Sequence, residues 1–136
     1  MRRCLDTTFL SDLVRGRPDA TAKTEEWVLA GDELVFTAVS WYEVGLGITL
    51  EARRERRREL MERWRSLAQS MQCLVLTRLS ADIAAGRQAE LFRRGSPAPV
   101  LDLFIAAIAM ANDCDAVVTR DKTDFARIGL LPTVPH

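Results

Sequence analysis

Four short segments with strand character, residues 3–5, 34–37, 74–76 and 116–118, punctuate the chain, and stretches of helical length separate each from the next. The intervening lengths are too great for hairpin turns and sufficient for crossovers, so the pattern predicts a parallel sheet with helices packed on it, an α/β fold. Helices are expected over 7–15 and 19–30, parted by Gly16-Arg17-Pro18, and over 40–50 and 51–71, which could run on through Gly45 and Gly47 as one. A further helix is expected over 80–93 with Ser80 as its N-cap, and another over 101–112. That last stretch is apolar nearly all round and must be buried. Residues 131–134 leave room for one more strand. No repeat, low-complexity tract or linker interrupts the pattern, so 1–136 reads as a single domain.

Composition removes several classes of function. Hydrophobic residues make up 48% of the chain, enough for a globular core. The 19 basic and 19 acidic residues cancel, which argues against a protein held to nucleic acid by bulk charge alone. Only Lys23 and Lys122 among the basic residues are lysines; the arginine excess mainly reflects composition, with some added capacity for phosphate contacts. The longest apolar run, 103–111, is too short for a membrane span, and no secretory segment follows the first residues. Cys4, Cys73 and Cys114 lack metal-ligand spacing and fit a reduced, cytoplasmic setting. The sole histidine is His136, which leaves no Ser/His or Cys/His nucleophile system, and no glycine-rich phosphate loop occurs.

What remains is a set of carboxylates at element ends. Asp6 follows the first strand, Glu43 opens a helix, Asp102 heads the apolar helix, and Asp121 ends the strand in Val117-Val118-Thr119-Arg120-Asp121. Each has an ordinary structural role available. Ser40-x-x-Glu43 fits a capping box, Asp102 suits a helix dipole, and Asp6 and Asp121 suit turns. On one parallel sheet, however, all four converge at the carboxyl edge, where open α/β folds bind ligands. Converging carboxylates repel unless they share protons or hold a hard cation, and Mg²⁺ or Mn²⁺ is the usual solution. The chemistry expected is metal-assisted hydrolysis of a phosphate ester.

A second oddity lies in 51–71. Leu60, Trp64, Leu67 and Met71 form an apolar stripe, and the same azimuth upstream carries Arg53, Arg56 and Arg57. Either the helix breaks near Arg58, or its first turns project beyond the core towards a partner or an anion.

In order along the chain, Leu5-Asp6-Thr7-Thr8-Phe9-Leu10-Ser11, Ser40-x-x-Glu43, Pro99-Val100-Leu101-Asp102-Leu103-Phe104-Ile105-Ala106-Ala107 and Val118-Thr119-Arg120-Asp121 with Asp124-Phe125 resemble the PIN-domain ribonucleases, within them the VapC-type toxins of toxin–antitoxin pairs. The resemblance spans essentially the whole chain. It implies a three-layer α/β sandwich and a metal site on Asp6 and Asp102, completed by Glu43 and Asp121. It also implies supporting roles for Thr119, Ser40, Asn112 and Asp124, an RNA substrate, a homodimer, and a small VapB-like antitoxin that blocks the pocket. Thr8 departs from the asparagine common in the family; its hydroxyl can partly substitute. Two other readings stand beside this one: a PIN-like domain that binds RNA or protein without cleaving, and a receiver-like phosphoacceptor domain. The second lacks the paired acids it needs near the first strand.

Overall fold

The computed structural model describes residues 1–135; His136, on which the exclusion of histidine nucleophiles partly rests, lies outside the described residues. Among the described residues five strands form one sheet: β1 (Arg2–Leu5), β2 (Glu33–Thr37), β3 (Gln72–Leu74), β4 (Ala116–Val118) and β5 (Thr133–Val134). Their order across the sheet is β3-β2-β1-β4-β5, and every pairing is parallel, as the strand–helix alternation predicts. Seven helices connect them among the described residues: α1 (Thr7–Val14), α2 (Pro18–Leu29), α3 (Ala38–Thr49), α4 (Arg54–Gln69), α5 (Arg78–Arg93), α6 (Val100–Ala111) and α7 (Lys122–Ile128).

Strand side chains alternate between two cores, as the pleat requires. Cys4, Val35, Leu74 and Val117 point to a face covered by α5, α6 and α7, where Leu91, Ile105, Ile108 and Ile128 are buried. Leu5, Phe36 and Val118 point to the other, where Phe9, Leu10, Leu60 and Trp64 from α1 and α4 close over them. The result is the three-layer sandwich. Within the second core Trp64 meets Phe36 edge-on at 5.5 Å and stacks on Trp41 at 5.1 Å. The buried stripe of the 51–71 segment is therefore as expected for Leu60 and Trp64, with Leu67 and Met71 packed at its margin.

Two expectations, for β3 and for the start of α5, are corrected, and two open alternatives are decided. Strand β3 lies at Gln72–Leu74, not 74–76, because its partner β2 ends at Thr37 opposite Leu74; Val75 and Leu76 emerge beyond the sheet, exposed. The helices over 40–50 and 51–71 are separate, broken at 51–53. Helix α5 starts earlier than expected: Thr77 is its N-cap, accepting from the Ser80 backbone N–H, while the Ser80 hydroxyl accepts from the Thr77 N–H (2.7 Å). Helix α4 runs unbroken through Arg58, which excludes a break there.

Candidate active site

The β1–α1 junction builds the first corner of the site. Asp6 is the N-cap of α1, and its Oδ1 accepts from the Phe9 backbone N–H at 2.9 Å. The Thr8 hydroxyl lies 2.8 and 3.0 Å from the two carboxylate oxygens, and the Thr119 hydroxyl donates to Oδ2 at 2.5 Å. The Asp6 backbone N–H extends the ladder to Val118 at 3.0 Å. A carboxylate only 2% exposed is thus held by three donors from two elements. Thr8 supplies the support expected of it, and its hydroxyl also accepts from the Arg120 N–H (3.1 Å).

Glu43 does not close a capping box. Helix α3 starts at Ala38 with Thr37 as N-cap, which places Ser40 at the third helical position and Glu43 a turn further on. There Glu43 accepts from the Thr7 hydroxyl at 2.6 Å, and the same hydroxyl lies 3.1 Å from that of the buried Ser40. The α1–α3 contact therefore carries Glu43 to the same edge as Asp6.

Asp102 lies in the first turn of α6, behind an N-terminus that has no side-chain cap. Its carboxyl is pushed up to about 6, chiefly by burial and then by repulsion from Glu43, Asp124, Asp6 and Asp121. Its four named neighbours are all acids of the proposed site, so the five groups share one electrostatic environment.

Asp121 is not a strand-end residue. Strand β4 stops at Val118, and Asp121 caps α7, an element the sequence reading missed. Thr119, fully buried, joins the two halves of the site: besides donating to Asp6, its hydroxyl accepts from the Asp121 N–H at 2.9 Å. Carboxylate oxygens of Asp102, Asp121 and Asp124 all lie within 4.8 Å of one another. That triad differs from the expected Asp6–Asp102 pair, and it brings Asp124 in as closely as Asp121. Arg127 donates to Asp124 at 2.8 Å and holds it in place.

Two expectations fall outside the cluster. Asn112 caps the far end of α6, donating to Ile108 O at 2.8 Å, about 15 Å of helix from Asp102. Arg53 pairs with Glu51 (3.3 Å) and Arg56 with Glu59 (3.5 Å), while Arg57 donates to the Glu51 carbonyl at 3.0 Å. The sequence reading also missed Thr7, whose only signal was a hydroxyl in the first turn after Asp6, and the Asp12–Arg120 pair (3.1 Å) beside Thr8.

The donor set suits a hard cation. Five carboxylates supply oxygen only, no described histidine is present, and Cys4 and Cys114 are buried in the core beneath α6. An ion preferring nitrogen or sulfur ligands has nothing to bind here. The raised Asp102 carboxyl marks a surplus of negative charge that a divalent ion relieves.

Comparison with known proteins bears on the fold and the family. Among solved structures the chain is similar to VapBC2 from Rickettsia felis bound to a promoter DNA fragment (TM-score 0.84, 18% identity, covering 100% of this chain and 99% of that one). It is also similar to FitAcB from Neisseria gonorrhoeae (0.82, 23%, 96% and 95%) and to VapBC-1 from nontypeable Haemophilus influenzae (0.82, 22%, 99% and 98%). At these identities the likeness is one of fold. No curated protein matches the chain. The family model of the PIN domain matches residues 3–131, nearly the whole sequence, and the chain belongs to the PIN-domain family.

Proposed function

We propose that this protein is a metal-dependent endoribonuclease acting as the toxin of a toxin–antitoxin pair, with Mg²⁺ or Mn²⁺ held among Asp6, Glu43, Asp102, Asp121 and Asp124. The observation that carries the reading is the convergence of these acids at one sheet edge, with the Asp102 carboxyl raised to about 6 chiefly by burial and then by its acidic neighbours. The bound ion supplies charge stabilisation at a scissile phosphate and activates water. The residues of the chain do the rest. Asp6 is immobilised by Thr8, Thr119 and the α1 N-terminus, so its position is set before any ligand arrives. Glu43 is aimed from α3 by Thr7, and Asp102 and Asp121 close the opposite side from α6 and α7. The five acids come from four elements, with Asp121 and Asp124 sharing α7, and the site is preorganised by the sheet.

The toxin role draws on similar structures, among them VapBC-5 from Mycobacterium tuberculosis, of the VapBC family of toxin–antitoxin systems, and a toxin–antitoxin complex from Klebsiella pneumoniae. By that likeness we assign this chain a small VapB-like antitoxin, a homodimeric state and a cytoplasmic setting. Among the described residues no helix is long and apolar enough to cross a membrane. An antitoxin can inhibit an anionic pocket by placing a cationic side chain in it. The test is cleavage of single-stranded RNA by purified protein in EDTA and after Mg²⁺ or Mn²⁺ is restored, together with growth on expression. Metal-dependent cleavage and growth arrest, both lost in Asp6→Asn, are expected; full cleavage after exhaustive chelation, or none with either ion, would overturn the reading.

A further inference from the structure

The arginines of α4 form a surface that the acidic site does not use. Arg54, Arg57, Arg58 and Arg65 lie on one face of α4 and, with Thr49 from the end of α3, line a cleft of about 520 Å³ floored by Met61. Glu62 is its single acidic lining residue. Among the described residues Arg54, Arg58 and Arg65 have no ion-pair partner, whereas Arg53, Arg56 and Arg63 are each matched by a glutamate. In a chain of zero net charge this is a local surplus. Of the three arginines in the sequence stripe only Arg57 lines this cleft; Arg54, Arg58 and Arg65 complete its cationic face.

Arg65 also lines a second cleft of about 560 Å³, with Phe36, Ala38, Trp41 and Cys73. The two clefts meet at Arg65, which lines both, and each takes residues from α3 and α4. At the far end Trp41 is 41% exposed while its ring stacks on buried Trp64 at 5.1 Å, so one face is fixed from behind and its edge is open. A groove that combines unpaired guanidinium groups with a rigid exposed aromatic ring has the two features that hold single strands without reading sequence: phosphate contacts and base stacking.

The groove lies beside the proposed catalytic edge. β2 and β3 are parallel, so α3 leaves the carboxyl edge and α4 returns to the amino edge. At 16 residues α4 is about 24 Å long, against about 17 Å for β2, so its arginine-rich first turns reach past the carboxyl edge. Glu43 and Trp41, two residues apart on α3, sit on opposite flanks of the helix, one helix width (about 10–12 Å) from each other.

We propose that the α3–α4 groove binds single-stranded RNA, with Arg54, Arg58 and Arg65 on its phosphates and Trp41 stacked on a base. The proposal rests on the nuclease reading for its choice of ligand and extends it by naming where the strand lies beyond the acids. The test uses the full chain in EDTA, without turnover, and measures anisotropy of a labelled oligouridine across a salt series. Arg54→Gln, Arg58→Gln and Arg65→Gln are combined; Arg57 is spared because it holds the Glu51 carbonyl. All three positions are exposed, and matching melting curves verify the fold. Wild type should bind the single strand, and the triple variant should bind on the order of tenfold more weakly, with the salt slope lowered by about 2. Trp41→Ala should weaken binding several-fold while leaving the slope unchanged. Unchanged affinity and slope in the triple variant would overturn the proposal. So would arginine-dependent binding of polyglutamate with none of oligouridine, which would give the groove to an acidic protein partner. A protein that cleaves no RNA yet binds oligouridine through these arginines keeps the groove and loses only the nuclease reading.

Discussion

Replacing Asp102 by Asn should stabilise the metal-free protein at neutral pH. The Asp102 carboxyl is raised from 3.8 to about 6, first by burial and then by the acids around it. A shift of that size corresponds to about 3 kcal/mol of unfavourable charge at 1.36 kcal/mol per unit; because Asp102 is only partly buried, solvent screening reduces this to about 1–2 kcal/mol. The folded carboxyl binds its proton more tightly than the unfolded one, so wild type loses stability as pH rises from about 4 to about 6 and carries the full penalty above that. Asn carries no charge at any pH. In EDTA the variant should therefore melt several degrees above wild type at neutral pH, and the gap should close as pH falls through that window. Mg²⁺ should raise the melting temperature of wild type and not that of the variant. Thermal melts across pH, with EDTA and with Mg²⁺, read both effects. A variant less stable than wild type at neutral pH, or a gap that widens on acidification, would refute the assignment of Asp102 to a mutually repelling cluster.

Three further outcomes follow from the geometry. Thr119→Val keeps the shape but removes one donor to Asp6 Oδ2 and the acceptor of the Asp121 N–H, so it should cost about 1–3 kcal/mol in denaturant unfolding and abolish cleavage, while Thr119→Ser should restore most of both. Trp64→Ala opens a cavity between Phe36, Trp41 and Leu60 and should cost about 3–5 kcal/mol by the same measurement. Thr77→Ala should cost about 1 kcal/mol through loss of the α5 cap, with no change in metal binding.

The parallel sheet was legible because each strand is a short apolar run separated from the next by helical length, and the acids were legible because they sit at the ends of those runs. The errors have local causes. Leu74, Val75 and Leu76 are equally apolar, and only the end of β2 at Thr37 decides which of them is strand. Ser80 and Thr77 are both good caps, and the hydroxyls share one reciprocal arrangement, so the sequence did not distinguish first from third position. Helix α7 is seven residues long and carries no clear apolar period, which hid the capping role of Asp121. The inward turn of Asp124 depends on α7 and on Arg127, and neither is visible from spacing. Asn112 stands at a helix end, but at the end opposite the acids, a distinction that requires the direction of α6. The arginine stripe was sound as periodicity; which guanidinium groups stay unpaired depended on where Glu51 and Glu59 fall.

The central claim is that these carboxylates form a site for a hard divalent ion, and Mn²⁺ binding followed by electron paramagnetic resonance tests it most directly. Titrating Mn²⁺ into metal-free protein should show saturable loss of the free-ion signal for wild type, reversed by excess Mg²⁺, and little or none for Asp102→Asn. Wild type that leaves the free-ion signal unchanged, or an Asp102→Asn variant that binds Mn²⁺ as tightly as wild type, would contradict the account.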